Sequence, residues 1–165
     1  MTDITTDTLP PRSTDEQQVV ESEIRSMFEH RITFNEFLGF RIKKLSTENI
    51  SVVFDMRPEL VGHYLFGRLH GGVISSVLDA TGGLAVMWAL AEFHNHESAM
   101  QIMDRFRHLG TIDLRVDYLR QGIGKKFTAS ATVVRLGKRI AAISMSLHSD
   151  DGRKIATGNA TYIVS

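Results

Sequence analysis

Apolar residues fall on alternating positions in two short stretches, 40–45 and 49–56, where Phe40, Ile42 and Leu45 and then Ile50, Val52 and Phe54 recur. Spacing near two marks a half-buried strand, so these stretches predict a strand pair turning through Ser46-Thr47-Glu48, with Pro58 ending the second. From residue 111 the β-type pattern returns in four stretches, 111–119, 127–136, 140–149 and 154–164. Gly122-Ile123-Gly124, Gly137-Lys138 and Asp150-Asp151-Gly152 separate them, and the last two gaps are short enough for hairpins. Residues 73–91 follow neither rhythm. They are apolar on nearly every position and free of proline, too long for a strand and suited to a helix enclosed by protein on all sides. Ahead of the first strand, residues 19–30 carry Ile24, Met27 and Phe28 on one side and predict a shorter helix. Phe34, Phe37 and Leu38 form an apolar cluster before Gly39, and residues 92–106 read as a polar connector with some helical content. The plan is α+β: two strands, one long buried helix and four strands, forming an antiparallel sheet around that helix.

Composition narrows the setting. A chain of 165 residues is the size of one domain with a real core. Nineteen basic and nineteen acidic residues cancel, so no global charge favours nucleic acid or an anionic membrane as a partner. The absence of cysteine removes disulfides, thiol catalysis and zinc–thiolate sites, and it fits a cytoplasmic protein. Residues 1–17 are polar, contain Pro10-Pro11 and lack the basic-then-apolar pattern of a secretory signal, so they are expected to form a loose tail before a single domain, 18–165. Residues 73–91 are the only membrane-like stretch. They hold Ser75, Ser76, Asp79, Thr81 and two glycines, and a carboxylate in hydrocarbon is costly, so a core helix is expected.

Asp79 is the one ionisable side chain in that helix. A buried ionised carboxylate without partners is costlier than a buried neutral polar group, or it becomes protonated. It is either a structural acceptor for nearby hydroxyls and amides or a site residue. Gly71-Gly72 stands at the expected helix start, where first-turn amides have no intrahelical acceptor and carry the positive end of the dipole. Bare of side chains, they suit a carbonyl oxygen that becomes negative during acyl transfer. Eight residues separate Gly71 from Asp79, roughly 12 Å along a helix, too far for one carbonyl group to meet both. If both act on one substrate, the carboxylate comes from a second copy across a twofold axis.

Other chemistries find less support. His94 and His96 are two apart and no second pair has metal-ligand spacing, so no metal is expected. There is no G-x-S-x-G elbow, P-loop or G-x-G-x-x-G fingerprint. Lys125-Lys126 and Lys138-Arg139 fall in predicted turns, where they are either solvated tips or contacts for phosphate groups.

Gly67-Arg68-Leu69-His70-Gly71-Gly72 followed, nine positions after the histidine, by Asp79 resembles the opening element of the PaaI-like hot-dog thioesterases. Asp117-Tyr118-Leu119-Arg120-Gln121-Gly122 and Ala156-Thr157-Gly158-Asn159-Ala160-Thr161-Tyr162 resemble that family's closing strands, so the likeness spans about residues 38–164. It implies a hot-dog fold and hydrolysis of acyl-CoA thioesters by a homodimer or dimer of dimers, with no cofactor. In the same reading Asp79 is general base or nucleophile and the Gly71 amide is the oxyanion donor. His70 holds the loop or helps position the thioester, Gly72 lies against the substrate, and Thr111 matches a position where the family keeps a hydroxyl near the attacking water. For Lys138 and Arg139 the functional alternative, read from charge alone, is contact with the phosphates of CoA. The sequence departs from the family at Tyr64, where asparagine is common, so the polar contact there is either lost, altered to a phenol or supplied by His63. Met100, Ile102, Met103 and Phe106 are either an acyl tunnel, which favours medium or long chains, or ordinary packing. Two alternatives remain on the same fold, an acyl thioester hydratase or dehydratase and a non-catalytic acyl-CoA-binding regulator.

Overall fold

The computed structural model describes residues 9–165. Helix α1, Thr14–Ser26, opens at Ser13, whose side chain accepts a hydrogen bond from the Glu16 N–H. It runs into a π-helical turn, Met27–Arg31, then α2, Thr33–Leu38, which ends on Gly39 in the left-handed region at φ 72. Strands β1, Arg41–Ser46, and β2, Asn49–Asp55, follow as predicted. A 3₁₀ turn at Pro58–Leu60 leads to a small hairpin, β3, Val61–His63, and β4, Arg68–Leu69. Next come the long helix α3, Gly71–Phe93, and α4, Ala99–Arg105. The last four strands are β5, Gly110–Tyr118, β6, Lys126–Leu136, β7, Ile140–Ser149, and β8, Lys154–Ile163.

The six longer strands form one antiparallel sheet in the order β1-β2-β6-β7-β8-β5. α3, about 34 Å long at 1.5 Å per residue, packs against β2, β5, β6, β7 and β8. Val77, Leu78, Leu84, Val86 and Met87 are buried in it, facing Phe54, Phe127, Ala129 and Leu147 from the sheet. The apolar stretch is therefore a core helix. Its C-terminal end is held by Arg12, whose guanidinium donates to the carbonyl oxygens of Ala91 in the last turn, His94 at the cap and Glu97 beyond it. A capping box joining Ser98 and Gln101 starts α4.

Expectation and structure differ at the start of the first helix and at one hairpin, and the connector follows one of its two readings. The first helix begins at Thr14 rather than residue 19, inside the stretch expected to be a loose tail, because Ser13 caps it and a 2.6 Å bond from the Ala99 N–H to Glu16 Oε1 ties it down. The part of the tail expectation that falls on residues 1–8 lies outside the described residues. The β3–β4 hairpin was not predicted, since two- and three-residue strands are too short to show a period. In the connector, Ile102 is buried and Met103 and Phe106 pack on the same core, with Phe106 edge-on to Phe28, whereas Met100 is exposed. Ile102, Met103 and Phe106 therefore form ordinary packing in the described chain.

Candidate active site

His70 sets the geometry at the start of α3. Its extended backbone makes it the N-cap, and its Nδ1 accepts a 2.9 Å hydrogen bond from the Gly72 N–H. The His70 carbonyl accepts from Val73 and Ile74 at 3.0 and 3.2 Å. Gly72, Val73 and Ile74 are thereby satisfied, and no acceptor for the Gly71 N–H occurs among the described residues. The one first-turn amide left over is the one assigned to the oxyanion. Gly71 is held from its other side by Tyr118, whose hydroxyl donates to the Gly71 carbonyl at 3.0 Å.

Two turns along α3, Asp79 is half-buried and meets two hydroxyls. Thr111 Oγ1, at the start of β5, donates to Asp79 Oδ1 at 2.9 Å. Tyr162 Oη, near the end of β8, lies 3.1 Å from the same oxygen and 2.8 Å from the Asp79 carbonyl. Thr111 and Tyr162 are themselves cross-strand neighbours, so sheet register delivers both to one carboxylate. Burial, and next the adjoining Asp79 charge, raises the Tyr162 phenol above its ordinary value of 10.0, which keeps its proton in place as a donor. Both donors converge on Oδ1, and Oδ2 has no donor among the described residues.

Tyr162 reaches the helix only because Gly82 has no side chain. A Cβ on Gly82 would overlap Tyr162 Oη and lie 2.8 Å from Met145 Sδ and 3.0 Å from Tyr162 Cζ. Sequence reasoning missed Tyr162 as a partner of Asp79, and Tyr118 as a partner of Gly71. The available signal was a glycine in an otherwise packed helix.

The other expected site residues lie apart from Asp79 in one chain. His63 is half-buried with a buried Nδ1 that lacks a partner among the described residues, and Tyr64 beside it is 85% exposed at the β3–β4 turn. Lys138 and Arg139 are exposed in the β6–β7 turn. That turn shares a sheet end with Gly110, since Ile140 pairs with Ile163 and Ile163 with Gly110. Lys138 borders a cleft of about 650 Å³ lined also by Leu90, Phe93, His108 and Arg135. His94, His96 and Glu97 bring ligand atoms within 4.8 Å of one another. Glu97, however, is held by Arg105 through bonds of 2.7 and 2.5 Å, a poor carboxylate for a cation.

A long helix wrapped by a curved antiparallel sheet, with a bare helix-start amide and a hydroxyl-bound carboxylate, is the architecture of a hot-dog-fold protein. The model of the thioesterase superfamily matches residues 66–156, and the chain belongs to that superfamily. It is 37% identical over 141 residues to the medium/long-chain acyl-CoA thioesterase YigI of Escherichia coli K12, covering 86% of this chain and 91% of that one. Among solved structures it is similar to a thioesterase-superfamily protein of Shewanella oneidensis, with 36% identity, a TM-score of 0.86 and coverage of 93% and 100% of the two chains. A candidate thioesterase of Syntrophus aciditrophicus is similar at 33% identity and a TM-score of 0.81, with 92% and 100% covered.

Proposed function

We propose that the protein hydrolyses medium- or long-chain acyl-CoA thioesters to the free acid and CoA, at sites shared between two subunits. The observation that carries this reading is Asp79 itself: a carboxylate in an apolar helix, with two hydroxyls on Oδ1 and Oδ2 left open. The name of the Escherichia coli relative supports the substrate class and chain length. No histidine among the described residues bonds Asp79, which weighs against the hydratase alternative.

The exposed edge of the sheet supports the shared site. Among the described residues β5 pairs only with β8, and Ile112 and Tyr118 on it are 55% and 54% exposed. Antiparallel pairing of two β5 strands about a twofold axis near Leu114 would set the Thr111 end of one against the Tyr118 end of the other. Thr111 bonds Asp79 and Tyr118 bonds Gly71, so this pairing brings the carboxylate to the partner's free amide. It removes the 12 Å separation, roughly, that one helix imposes. A homodimer, or a dimer of dimers built from it, supplies two such sites.

In the reaction the Gly71 N–H donates a hydrogen bond to the thioester oxygen as negative charge grows on it. Asp79 takes a proton from water as the water oxygen attacks the carbonyl carbon, or Oδ2 attacks that carbon itself. The tetrahedral adduct collapses with loss of the CoA thiolate, which is then protonated. In the second route water hydrolyses the resulting anhydride. Thr111 and Tyr162 hold the carboxylate, and His70 and Gly72 hold the helix start. Tyr64 and His63 lie at the substrate opening, and Lys138 and Arg139 meet the CoA phosphates. A cytoplasmic setting belongs to the same reading, in keeping with the lack of cysteine. Asp79→Asn keeps the shape and one hydrogen-bond acceptor but removes the charge. Turnover of dodecanoyl-CoA, read by thiol release, should fall by about two orders of magnitude or more. Turnover within a few-fold of the parent would defeat the assignment.

A further inference from the structure

The β3–β4 turn exposes three large apolar residues in succession, Tyr64, Leu65 and Phe66, at 85%, 67% and 60%. Such a run is costly in water and calls for a covering partner. Phe66 and Tyr64 instead gather on His63, with ring centroids 4.8 and 6.0 Å away, and leave Leu65 without an aromatic neighbour. His63 Nδ1 is buried without a partner among the described residues.

The tip is not free to wander. Gly62 packs so tightly on His70 that a Cβ there would overlap His70 Cα and lie 2.8 Å from His70 Cβ. Gly67 turns the chain at φ 57, a conformation other residues rarely adopt, and the His70 N–H donates to the Leu60 carbonyl at 2.9 Å. The hairpin is therefore locked to the N-cap of α3. Four residues separate Phe66 from His70, at most about 14 Å of extended chain, so the apolar tip lies within a medium acyl chain's reach of the Gly71 amide.

We infer that Leu65 and Phe66 form an apolar wall for the distal methylenes of the acyl chain, set by one subunit over the Asp79 of its partner. This rests on the shared-site thioesterase reading and adds the residues that give it chain-length preference. A fatty acyl chain is the occupant favoured here because the tip is rigidly continuous with the group that holds the carbonyl.

The test is the double variant Leu65→Ser/Phe66→Ser assayed on butyryl- and dodecanoyl-CoA. Each methylene buried against an apolar wall raises kcat/KM by about fourfold, so losing part of the contact over several methylenes compounds quickly. The dodecanoyl-to-butyryl ratio of kcat/KM should fall about tenfold or more, with the change in KM on the long substrate, while the variant keeps the parent's oligomeric state by light scattering. A ratio within twofold of the parent overturns the wall. So does conversion to monomer, which would make the tip a protein–protein contact instead. If the unaltered protein releases no thiol from any acyl-CoA, the thioesterase reading itself fails; hydrolysis with an unchanged ratio sinks only the wall.

Discussion

Replacing Gly82 by alanine tests whether Tyr162 is placed on Asp79 by the absence of one methyl group. Alanine is worth about 1 kcal/mol to a helix interior relative to glycine, so an uncrowded site would gain stability. Here the new Cβ overlaps Tyr162 Oη and stands 2.8 Å from Met145 Sδ. The methionine can swing aside, but the phenol is anchored in a strand and 2% exposed. Moving it back by about 1 Å breaks both bonds to Asp79, at roughly 1.5–3 kcal/mol for a donor to a charged group, and overpacking adds about 1–3 kcal/mol. The net expectation is a loss of about 2–4 kcal/mol, measured by urea unfolding at fixed protein concentration. In a Tyr162→Phe background the overlapping oxygen is gone, so the same substitution should cost at least about 1.5 kcal/mol less. Equal costs in the two backgrounds would refute the link between Gly82 and the phenol.

Thr111→Val removes the hydroxyl from Asp79 and leaves the strand's shape. It should lower kcat/KM about tenfold, the equivalent of one charged-acceptor hydrogen bond, with little change in unfolding temperature. Glu97→Gln should destabilise the α3–α4 corner by about 1–2 kcal/mol at neutral pH, or about 2–8 °C. The hydrogen bond from Arg105 holds the Glu97 carboxyl below its ordinary value of 4.5, so this stabilisation is present above that pH and is lost as pH falls through the depressed value. The gap in melting temperature between parent and variant should therefore close only below about pH 4.5, and a gap that persists at pH 2–3 would contradict the charge-based account. His94 has the same sense on the acid side: burial, and then Arg105, lowers it from 6.5, so unfolding should become easier as pH drops from that value. His94→Gln should flatten that part of the stability profile, and an unchanged slope would count against it.

The fold was legible wherever side chains alternate over many residues. β7 spans Ile140–Ser149 as the spacing predicts, and the apolar stretch at 73–91 extends only to Gly71–Phe93. The start of α1 was written in Ser13-Thr14-Asp15-Glu16, a capping pattern, but Pro10-Pro11 just before it made the stretch read as unstructured. The π-helical turn at Met27–Arg31 left no mark, because one widened turn scarcely alters apolar spacing. Asp79 stood out as a lone charge among apolar neighbours, and Gly71 as a bare amide at a helix start. Thr111 entered through family resemblance alone. Tyr162 lies 83 positions from Asp79, and an inward-facing tyrosine in a strand reads as core until the helix it touches is known.

The central claim is that each site joins Asp79 of one subunit to the Gly71 N–H of the other. Gly71→Pro deletes that N–H at the first helical position, where proline is well tolerated and where His70, at φ −66 and ψ 138, already has the backbone a following proline requires. Asp79→Asn and Gly71→Pro should each be nearly inactive alone. Unfolded together, refolded and assayed on dodecanoyl-CoA, they should recover about a quarter of parental activity, since half of randomly paired dimers are mixed and each mixed dimer restores one of two sites. A mixture no more active than its components would contradict the account.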